Sequence, residues 1–263
     1  MNVLISYAHV RNPKAVEGLK AVCEIAETWC LDSGAYTVHN TGGTIEVEDY
    51  ISFCRSLEEW PKPPCKIFAL DVIGDEQASI DNAIAMRDAG INVVPTWHAG
   101  SSIDALETLR DEFEEVAFGG LVARLRNNRA QLFSEAKKRH WLSRGFNVVW
   151  PHRVHGFGIT SAKLLREFPF SSVDSTTWRL RPSLYGSWKS YGARMPLRIN
   201  KANEHCLITE VAWWIEEERA VGERWKATHE KHGLGPFCLF MSMQPSDAAI
   251  LAQAATVLEG ATG

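Results

Sequence analysis

Short apolar segments alternate with amphipathic segments along the whole chain of 263 residues, and this alternation constrains the fold more than any other feature. The candidate strands are residues 3–7, 29–31, 66–70, 92–96, 115–118, 147–150, 171–173 and 237–241. The candidate helices are residues 14–27, 47–57, 77–89, 103–113, 130–143, 161–166, 207–229 and 248–258. Strands that alternate with helices are typical of a parallel sheet.

The pattern favours closure of this sheet into one α/β domain, a (β/α)8 TIM-like barrel spanning residues 1–263. Such barrels commonly occupy about 250 residues as a single unit. No GxGxxG motif follows the first strand, which disfavours an open dinucleotide-binding sheet. Prolines and glycines interrupt the pattern at residues 177–203, and we interpret this segment as a loop inserted after strand seven.

Several classes of protein are disfavoured by the sequence. The chain has no run of about 18 uncharged apolar residues, as a membrane span requires, and the apolar core of its first residues is too short for a secretory signal. Its six cysteines form no CxxC pair, which argues against a zinc knuckle and against a disulfide framework. We therefore expect a reduced, cytoplasmic protein that does not bind membranes.

Positive charge is concentrated in one block of the sequence. Residues 120–203 contain 16 Lys or Arg and three acidic residues, a net charge of +13, while the rest of the chain carries −17. A block of this size is typical of a surface that meets phosphate groups. The alternative is a basic but simply solvated helix, as at residues 135–140.

Three aspartates follow candidate strands at the point where each strand ends: Asp32 in LDSGAY, Asp71 in FALDVIGD and Asp174 in SVDSTTW. This end of the strands carries the catalytic residues of barrel enzymes, and carboxylates that meet there shift one another's pKa. An aspartate that caps a loop or the following helix is the alternative for each position. Other candidates at the same edge are His98, Gly119, Gly120, His155 and Gly156.

Six short motifs occur in the order found in the tRNA-guanine transglycosylase family, which residues 29–180 therefore resemble. They are LDSGAY, ALD, HAG, FGGL, HGFG and SVDSTTW. The resemblance implies a barrel that exchanges guanine for a free 7-deazaguanine base, its co-substrate. The SVDSTTW form and the short chain are most similar to the phage-type DNA 7-deazaguanine transglycosylases, which implies action on DNA, in the host cytoplasm if a phage encodes the protein.

The chain departs from the tRNA enzymes of that family near its C-terminus. Those enzymes bind a structural zinc ion through three closely spaced cysteines and a histidine, whereas this region holds only Cys206 and Cys238. A site of that type needs four ligands at close spacing, so we expect no metal and no cofactor. Because the zinc-binding insertion supports tRNA docking, the resemblance implies DNA as the partner and tRNA as the weaker alternative.

The resemblance also implies a role for each aspartate. Asp174 matches the nucleophile that holds the sugar covalently, Asp32 the general acid/base, and Asp71 the residue that accepts from guanine N1–H and the exocyclic amine. The other candidate base contacts are Ser33, Gly34, Tyr36, His98, Gly119, Gly120, His155 and Gly156. Gly120 would donate its N–H to the base O6, while Tyr36 and His155 would cover the two faces of the base.

The inserted loop interleaves aromatic rings with cations, the pattern that binds an unpaired nucleic-acid strand. The candidate nucleic-acid contacts are Trp178, Arg179, Arg181, Trp188, Lys189 and Arg194. For any one ring, the alternative is a loop aromatic that packs on the edge of the barrel.

Three other functions stay open at this point. The first is a tRNA-guanine transglycosylase-like enzyme acting on RNA. The second is a barrel glycoside hydrolase, which would normally place at least one Glu at a strand end, whereas every candidate here is Asp. The third is a nucleic-acid-binding protein without catalysis, which would leave the three strand-end aspartates unexplained. The sequence does not indicate the oligomeric state.

Overall fold

The computed structural model of the protein describes residues 1–124, 130–132, 134–176, 187–190, 193–196, 204–249 and 252. The strands are β1 (Asn2–Ser6), β2 (Thr28–Asp32), β3 (Lys66–Phe68), β4 (Val93–Val94), β5 (Thr96–His98), β6 (Glu115–Gly119), β7 (Val122–Arg124), β8 (Ala130–Leu132), β9 (Arg153–Gly156), β10 (Ser172–Ser175), β11 (Ser187–Ser190), β12 (Ala193–Pro196) and β13 (Cys238–Met243). The helices are α1 (Pro13–Ile25), α2 (Ala35–Thr41), α3 (Val47–Ser56), α4 (Glu76–Asp88), α5 (Ile103–Glu112), α6 (Glu135–Val149), α7 (Ala162–Glu167) and α8 (Glu204–His232).

Nine of these strands form one parallel sheet that closes into a TIM-like α/β barrel, as the sequence predicts. The strand order is β4-β3-β2-β1-β13-β10-β9-β6-β5. The two strands at the ends of this order are consecutive in the chain, because only Pro95 separates β4 from β5. The backbone carbonyl of Pro95 accepts the N–H of Ala117 on β6 at 2.8 Å, whereas β4 pairs with β3 on the other side. The interrupted fourth strand therefore joins the two edges of the sheet.

The sixth barrel strand differs from the prediction. The apolar run at residues 147–150 predicts a strand, but α6 continues to Val149 and the strand is Arg153–Gly156. Phe146 and Val149 are both buried on one face of α6. A short apolar run fits a helix face as well as a strand, and Pro151 marks the helix end rather than a strand end.

Smaller differences occur elsewhere. Residues 130–143 predict one helix, whereas Ala130–Leu132 forms β8 and α6 begins at Glu135, where the Ser134 hydroxyl accepts the N–H of Lys137. Helix α2 is absent from the prediction, because a helix of seven residues is too short to show a helical period. The predicted helix at residues 248–258 falls almost entirely outside the described residues.

The barrel has two apolar layers. The larger one lies between the strands and the surrounding helices and contains Trp29, Trp97 and Trp214. The smaller one fills the barrel interior with Leu4, Cys30, Phe68, Val94, Ala117 and Phe240. Because side chains alternate along a strand, the residues two positions beyond this interior layer also point inward and line the carboxyl end of the barrel.

Two antiparallel hairpins follow strands of the barrel in the chain. β7 and β8 pair after β6, and β11 and β12 pair after β10, within the segment that the sequence predicts as an inserted loop. Of the helices that the structure describes, none is both long and apolar enough to cross a lipid bilayer.

Candidate active site

The structure brings the three strand-end aspartates together at the carboxyl end of the barrel. Asp32 is the last residue of β2, Asp71 follows β3 closely, and Asp174 lies in β10. The negative charges of Asp71 and Asp174 both act on Asp32 and raise its pKa. Three carboxylates within electrostatic reach of one another are costly for a purely structural role and are a common feature of catalytic sites.

Asp32 has the most strongly perturbed pKa of the three aspartates. Burial is the main cause, the charges of Asp71 and Asp174 add to it, and together they raise the pKa of Asp32 to about 7. The N–H of Gly34 donates to Oδ2 of Asp32 at 3.1 Å, which opposes the shift and orients the carboxyl group. Asp32 is therefore suited to give and take a proton near neutral pH.

Glycine is required at position 34 for two reasons. Its φ is +80°, a left-handed conformation that starts α2. A Cβ at this position would lie 2.6 Å from Cβ of Ala8 and 2.7 Å from Oγ of Ser6. The tight turn after β2 therefore lets the backbone N–H of Gly34 face Asp32.

Asp71 is held by two neighbours. Nε2 of His98 lies 2.9 Å from Oδ2 of Asp71, and the hydroxyl of Ser33 donates to Oδ1 at 3.4 Å. The side chains of Asp71 and His98 are 15% and 24% exposed, so both reach the mouth of the barrel. Ser33 is buried behind them and orients Asp71 from within.

Asp174 is a nearly buried carboxylate with a donor on each oxygen. The N–H of Gly158 donates to Oδ1 at 2.7 Å, and the hydroxyl of Ser242 donates to Oδ2 at 2.8 Å. Ser242 lies on β13, the strand paired with β10, so the two strands fix the carboxylate between them. An oriented carboxylate with one lone pair still free on each oxygen can act as a nucleophile.

His155 lies inside the barrel rather than at its mouth. Its ring has no exposed surface and packs against Phe68 and Phe157, with ring centroids 4.6 and 4.7 Å apart. Nδ1 lies 2.9 Å from Oγ of Ser172, and Nε2 lies 3.7 Å from Oδ1 of Asp174. In this position His155 lies beside Ser172 and Asp174, and neither face of its ring is free to cover a base.

The other candidate glycines fit tightly into the structure. A Cβ on Gly119 would lie 2.8 Å from Cγ2 of Thr96, and a Cβ on Gly156 would lie 2.8 Å from Ile159 and Phe170 side chains. Gly120 has a φ of +75°, and a Cβ there would lie 3.0 Å from the backbone N of Ala99. Packing alone therefore explains a glycine at each of these positions.

Tyr36 is the most exposed large apolar side chain of the described residues, at 45%. It lies in the first turn of α2, directly after the Asp32 turn. Val72, on the loop after β3, is also exposed. The loops after β2 and β3 follow neighbouring strands, so Tyr36 and Val72 lie on the same edge of the barrel as the three carboxylates, and an exposed ring there is suited to stacking.

The candidate nucleic-acid contacts are only partly described. Trp178, Arg179 and Arg181 lie outside the described residues. Trp188 and Lys189 belong to β11 and Arg194 to β12, where Lys189 pairs with Arg194 in the antiparallel register. This hairpin follows the strand that carries Asp174.

Sequence reasoning missed four residues that act on Asp174 directly or through His155: Gly158, Ser242, Ser172 and Lys66. Ser242 lies two residues after Phe240 on β13, and Lys66 lies two residues before Phe68 on β3. Each therefore shares the inward face of its strand with a residue of the barrel interior, and the period of two in the sequence indicates this. Ser172 and Asp174 are also two residues apart and share one face of β10. A comparison of the inward-facing positions of all the strands identifies each of these four residues except Gly158.

Within the described part of the chain, no group of three or more His, Cys, Asp or Glu residues is arranged to hold a metal ion. Cys23, Cys30, Cys54, Cys65 and Cys238 are free thiols. No protein-family model matches the chain, and no curated protein is significantly similar to it.

Proposed function

We propose that the protein exchanges guanine in DNA for a 7-deazaguanine base, such as 7-cyano-7-deazaguanine, through a covalent intermediate on Asp174. The observation that carries the proposal is the pairing of two unlike carboxyl groups at one end of the barrel. Asp174 is fixed by two donors, while the pKa of Asp32 is raised to about 7. A fixed nucleophile beside a carboxyl group that carries a proton near neutral pH is what retaining glycosyl transfer needs.

In the first step, a free lone pair of Asp174 forms a bond to C1′ of the target nucleotide while the C1′–N9 bond breaks. Protonated Asp32 donates its proton to the departing guanine, which leaves as a neutral base. The sugar is then held as an ester of Asp174. The ester keeps the sugar attached to the protein until the next base arrives.

In the second step, the entering 7-deazaguanine base gives its N9 proton to Asp32. N9 attacks C1′ and the ester bond breaks, so Asp174 is released as a carboxylate. Asp32 is again protonated, and atoms and charges balance over the cycle. The N–H of Gly158 and the hydroxyl of Ser242 stabilise the charge that returns to Asp174.

Asp71 is suited to select guanine. His98 and Ser33 use one lone pair on each oxygen, which leaves a second lone pair on each for guanine N1–H and the exocyclic amine. Adenine does not present this pair of donors. Tyr36 would stack on the base, and the N–H of Gly120 would donate to O6.

DNA as the polymer is supported by the +13 block at residues 120–203, which includes both hairpins that follow barrel strands. Lys and Arg side chains bind phosphates, and interleaved rings stack on unpaired bases. A target guanine within a duplex has to leave the stack before Asp174 reaches its C1′.

The test is nucleoside mass spectrometry. DNA and tRNA are incubated separately with the protein and 7-cyano-7-deazaguanine, then digested to nucleosides. We expect the modified deoxynucleoside from DNA, and its loss in Asp174→Asn but not in Asp104→Asn, a matched exposed aspartate on α5. Modification of tRNA alone would favour the RNA enzyme, and release of reducing sugar from glycans, without base exchange, would favour the glycoside hydrolase.

A further inference from the structure

A chain of polar contacts crosses the barrel interior beneath Asp174. Lys66 on β3 contacts the carboxylate of Glu115 on β6 and donates to Oγ of Ser172 on β10 at 2.9 Å. These three strands are not neighbours in the sheet, so the contacts span the inside of the barrel. From Ser172 the contacts continue to His155 and then to Asp174, and we call this series of side chains, Lys66–Ser172–His155–Asp174, the relay.

The donors and acceptors along this chain have a fixed direction. A lysine ammonium group can only donate, so Oγ of Ser172 accepts from Lys66. The Ser172 hydroxyl proton is then free to point to Nδ1 of His155, which lies 2.9 Å from Oγ. With Nδ1 acting as an acceptor, the single proton of a neutral His155 ring lies on Nε2.

The surroundings of His155 favour its neutral form. Burial, the largest effect, lowers the pKa of His155; the carboxylate of Asp174 acts in the opposite direction, Lys66 adds to the lowering and Glu115 opposes it. Its ring neighbours are the aromatic side chains of Phe68, Phe157 and Phe240. The ring therefore carries one proton at neutral pH, and the position of that proton is set by hydrogen bonding.

We propose that Lys66 and Ser172 are positioning residues that fix the Nε2–H tautomer of His155 and direct this N–H toward Asp174. Nε2 is buried with no hydrogen-bond partner in the described structure, and it faces Oδ1 of Asp174 at 3.7 Å. A shift of under 1 Å brings the two atoms within hydrogen-bonding distance. Asp174 thereby gains a third donor, besides Gly158 and Ser242, when negative charge returns to it.

The consequence for catalysis rests on the proposed function, whereas the tautomer itself does not. A third donor stabilises the carboxylate that leaves the sugar, so it acts on the chemical step. It makes no contact with the free base, which the neighbouring Asp71 would bind. The relay therefore affects kcat and leaves KM for the free base unchanged.

The direct test is NMR of the protein labelled with 15N in its histidines, since the two ring nitrogens of each tautomer have distinct 15N shifts. His155→Gln identifies the signals of His155. We expect the Nε2–H tautomer in the parent, a mixture of tautomers in Ser172→Ala, and recovery of the Nε2–H tautomer in Ser172→Thr, which keeps the hydroxyl. The Nδ1–H tautomer in the parent, or an unchanged Nε2–H tautomer in Ser172→Ala, would overturn the proposal.

The base-exchange assay then separates the two claims. We expect Ser172→Ala to lower kcat about tenfold, the cost of a lost buried hydrogen bond, with KM for the free base unchanged and recovery in Ser172→Thr. The Nε2–H tautomer in a parent protein without exchange activity would overturn the proposed function and support the relay. The Nδ1–H tautomer in an active parent would overturn the relay alone.

Discussion

Asp32, Asp71 and Asp174 carry the same functional group but have three different surroundings. Asp32 is half-buried near the other two charges, Asp71 is paired with His98, and Asp174 accepts from Gly158 and Ser242. Different surroundings give like groups different roles. Each aspartate can therefore be tested separately.

The first prediction concerns the pH dependence set by Asp32. The pKa of Asp32 is raised from 3.8 to about 7, so the group is protonated below pH 7 and ionised above it. Because the proposed mechanism transfers this proton to the leaving guanine, kcat/KM for DNA should fall as pH rises through 7. Asp32→Asn should lower kcat/KM by at least about 100-fold and remove this fall. A parent profile that is flat between pH 6 and pH 8 would contradict the role of Asp32.

The second prediction concerns base selection by Asp71. Asp71→Asn keeps the size of the side chain but replaces one acceptor oxygen with a donor that faces a donor of guanine. KM for the free base should rise about 10- to 100-fold, as expected for an unmatched buried donor, and kcat/KM for DNA should fall as well, because the same side chain selects the target guanine. Steady-state kinetics with each substrate varied in turn provides the measurement. Equal KM values for the base in parent and variant would remove Asp71 from base recognition.

At the residue scale, the sequence predicts which polar side chains reach the carboxyl end of the barrel but not how they are held. Asp32, Asp71 and Asp174 are identifiable because each follows a buried apolar strand. Their partners come from strands distant in sequence, as Ser242 does for Asp174. Such partners depend on the strand order of the closed barrel, which local patterns do not contain.

Among the elements, α6 lies unusually close to the barrel. A Cβ on Gly145 of α6 would lie 2.7 Å from the ring of Phe118 and 3.0 Å from Trp97. Gly222 of α8 also lies within a helix, but a Cβ there would meet nothing within 4 Å. The two glycines therefore form a matched pair, one required by packing and one not.

The third prediction uses this pair. Gly145→Ala should lower the free energy of unfolding by about 1–3 kcal/mol, because the added methyl group forces apart α6 and Phe118. Gly222→Ala should raise it by about 0.5–1 kcal/mol, because alanine favours a helix interior and meets no obstacle. Urea denaturation of both variants beside the parent measures the difference. Destabilisation by Gly222→Ala equal to that by Gly145→Ala would contradict the packing of α6 on β6.

The fourth prediction concerns the segment that contains the β11–β12 hairpin. Neutralising Arg179, Arg181 and Lys189 together should weaken DNA binding and flatten its dependence on salt. Each lost phosphate contact should reduce the slope of log affinity against log salt by about 0.7–0.9. The control removes three exposed charges from helices outside the basic block, at Lys14, Lys226 and Lys231. Equal slopes for the two triple variants would mean that this segment does not contact phosphates.

At the element scale, the sequence predicts the barrel because eight apolar segments alternate with amphipathic ones. It misplaces the sixth strand because residues 147–150 form an apolar run that fits the buried face of α6. It also does not show that Pro95 divides the fourth strand into β4 and β5. Long periodic segments are predictable, whereas a run of four apolar residues is assigned only by its packing.

At the scale of the whole molecule, the positive charge and the two hairpins coincide along the chain. The hairpin β7–β8 follows β6 and the hairpin β11–β12 follows β10, and β9 lies between β6 and β10 in the sheet. Both hairpins belong to the +13 block, although the chain as a whole carries −4. We therefore expect a polymer that is bound by the basic block to run past Asp174, to which the loop after β9 contributes the N–H of Gly158.

The central claim is that Asp174 holds the sugar covalently, and intact-protein mass spectrometry tests it most directly. The protein is mixed with a short guanine-containing DNA strand without a free 7-deazaguanine base, quenched in acid and denatured. We predict a protein–DNA adduct that maps to the peptide containing Asp174, is absent in Asp174→Asn, and disappears when 7-cyano-7-deazaguanine is added before the quench. Base exchange by the parent with no adduct on Asp174, or with an adduct on another residue, would contradict the account.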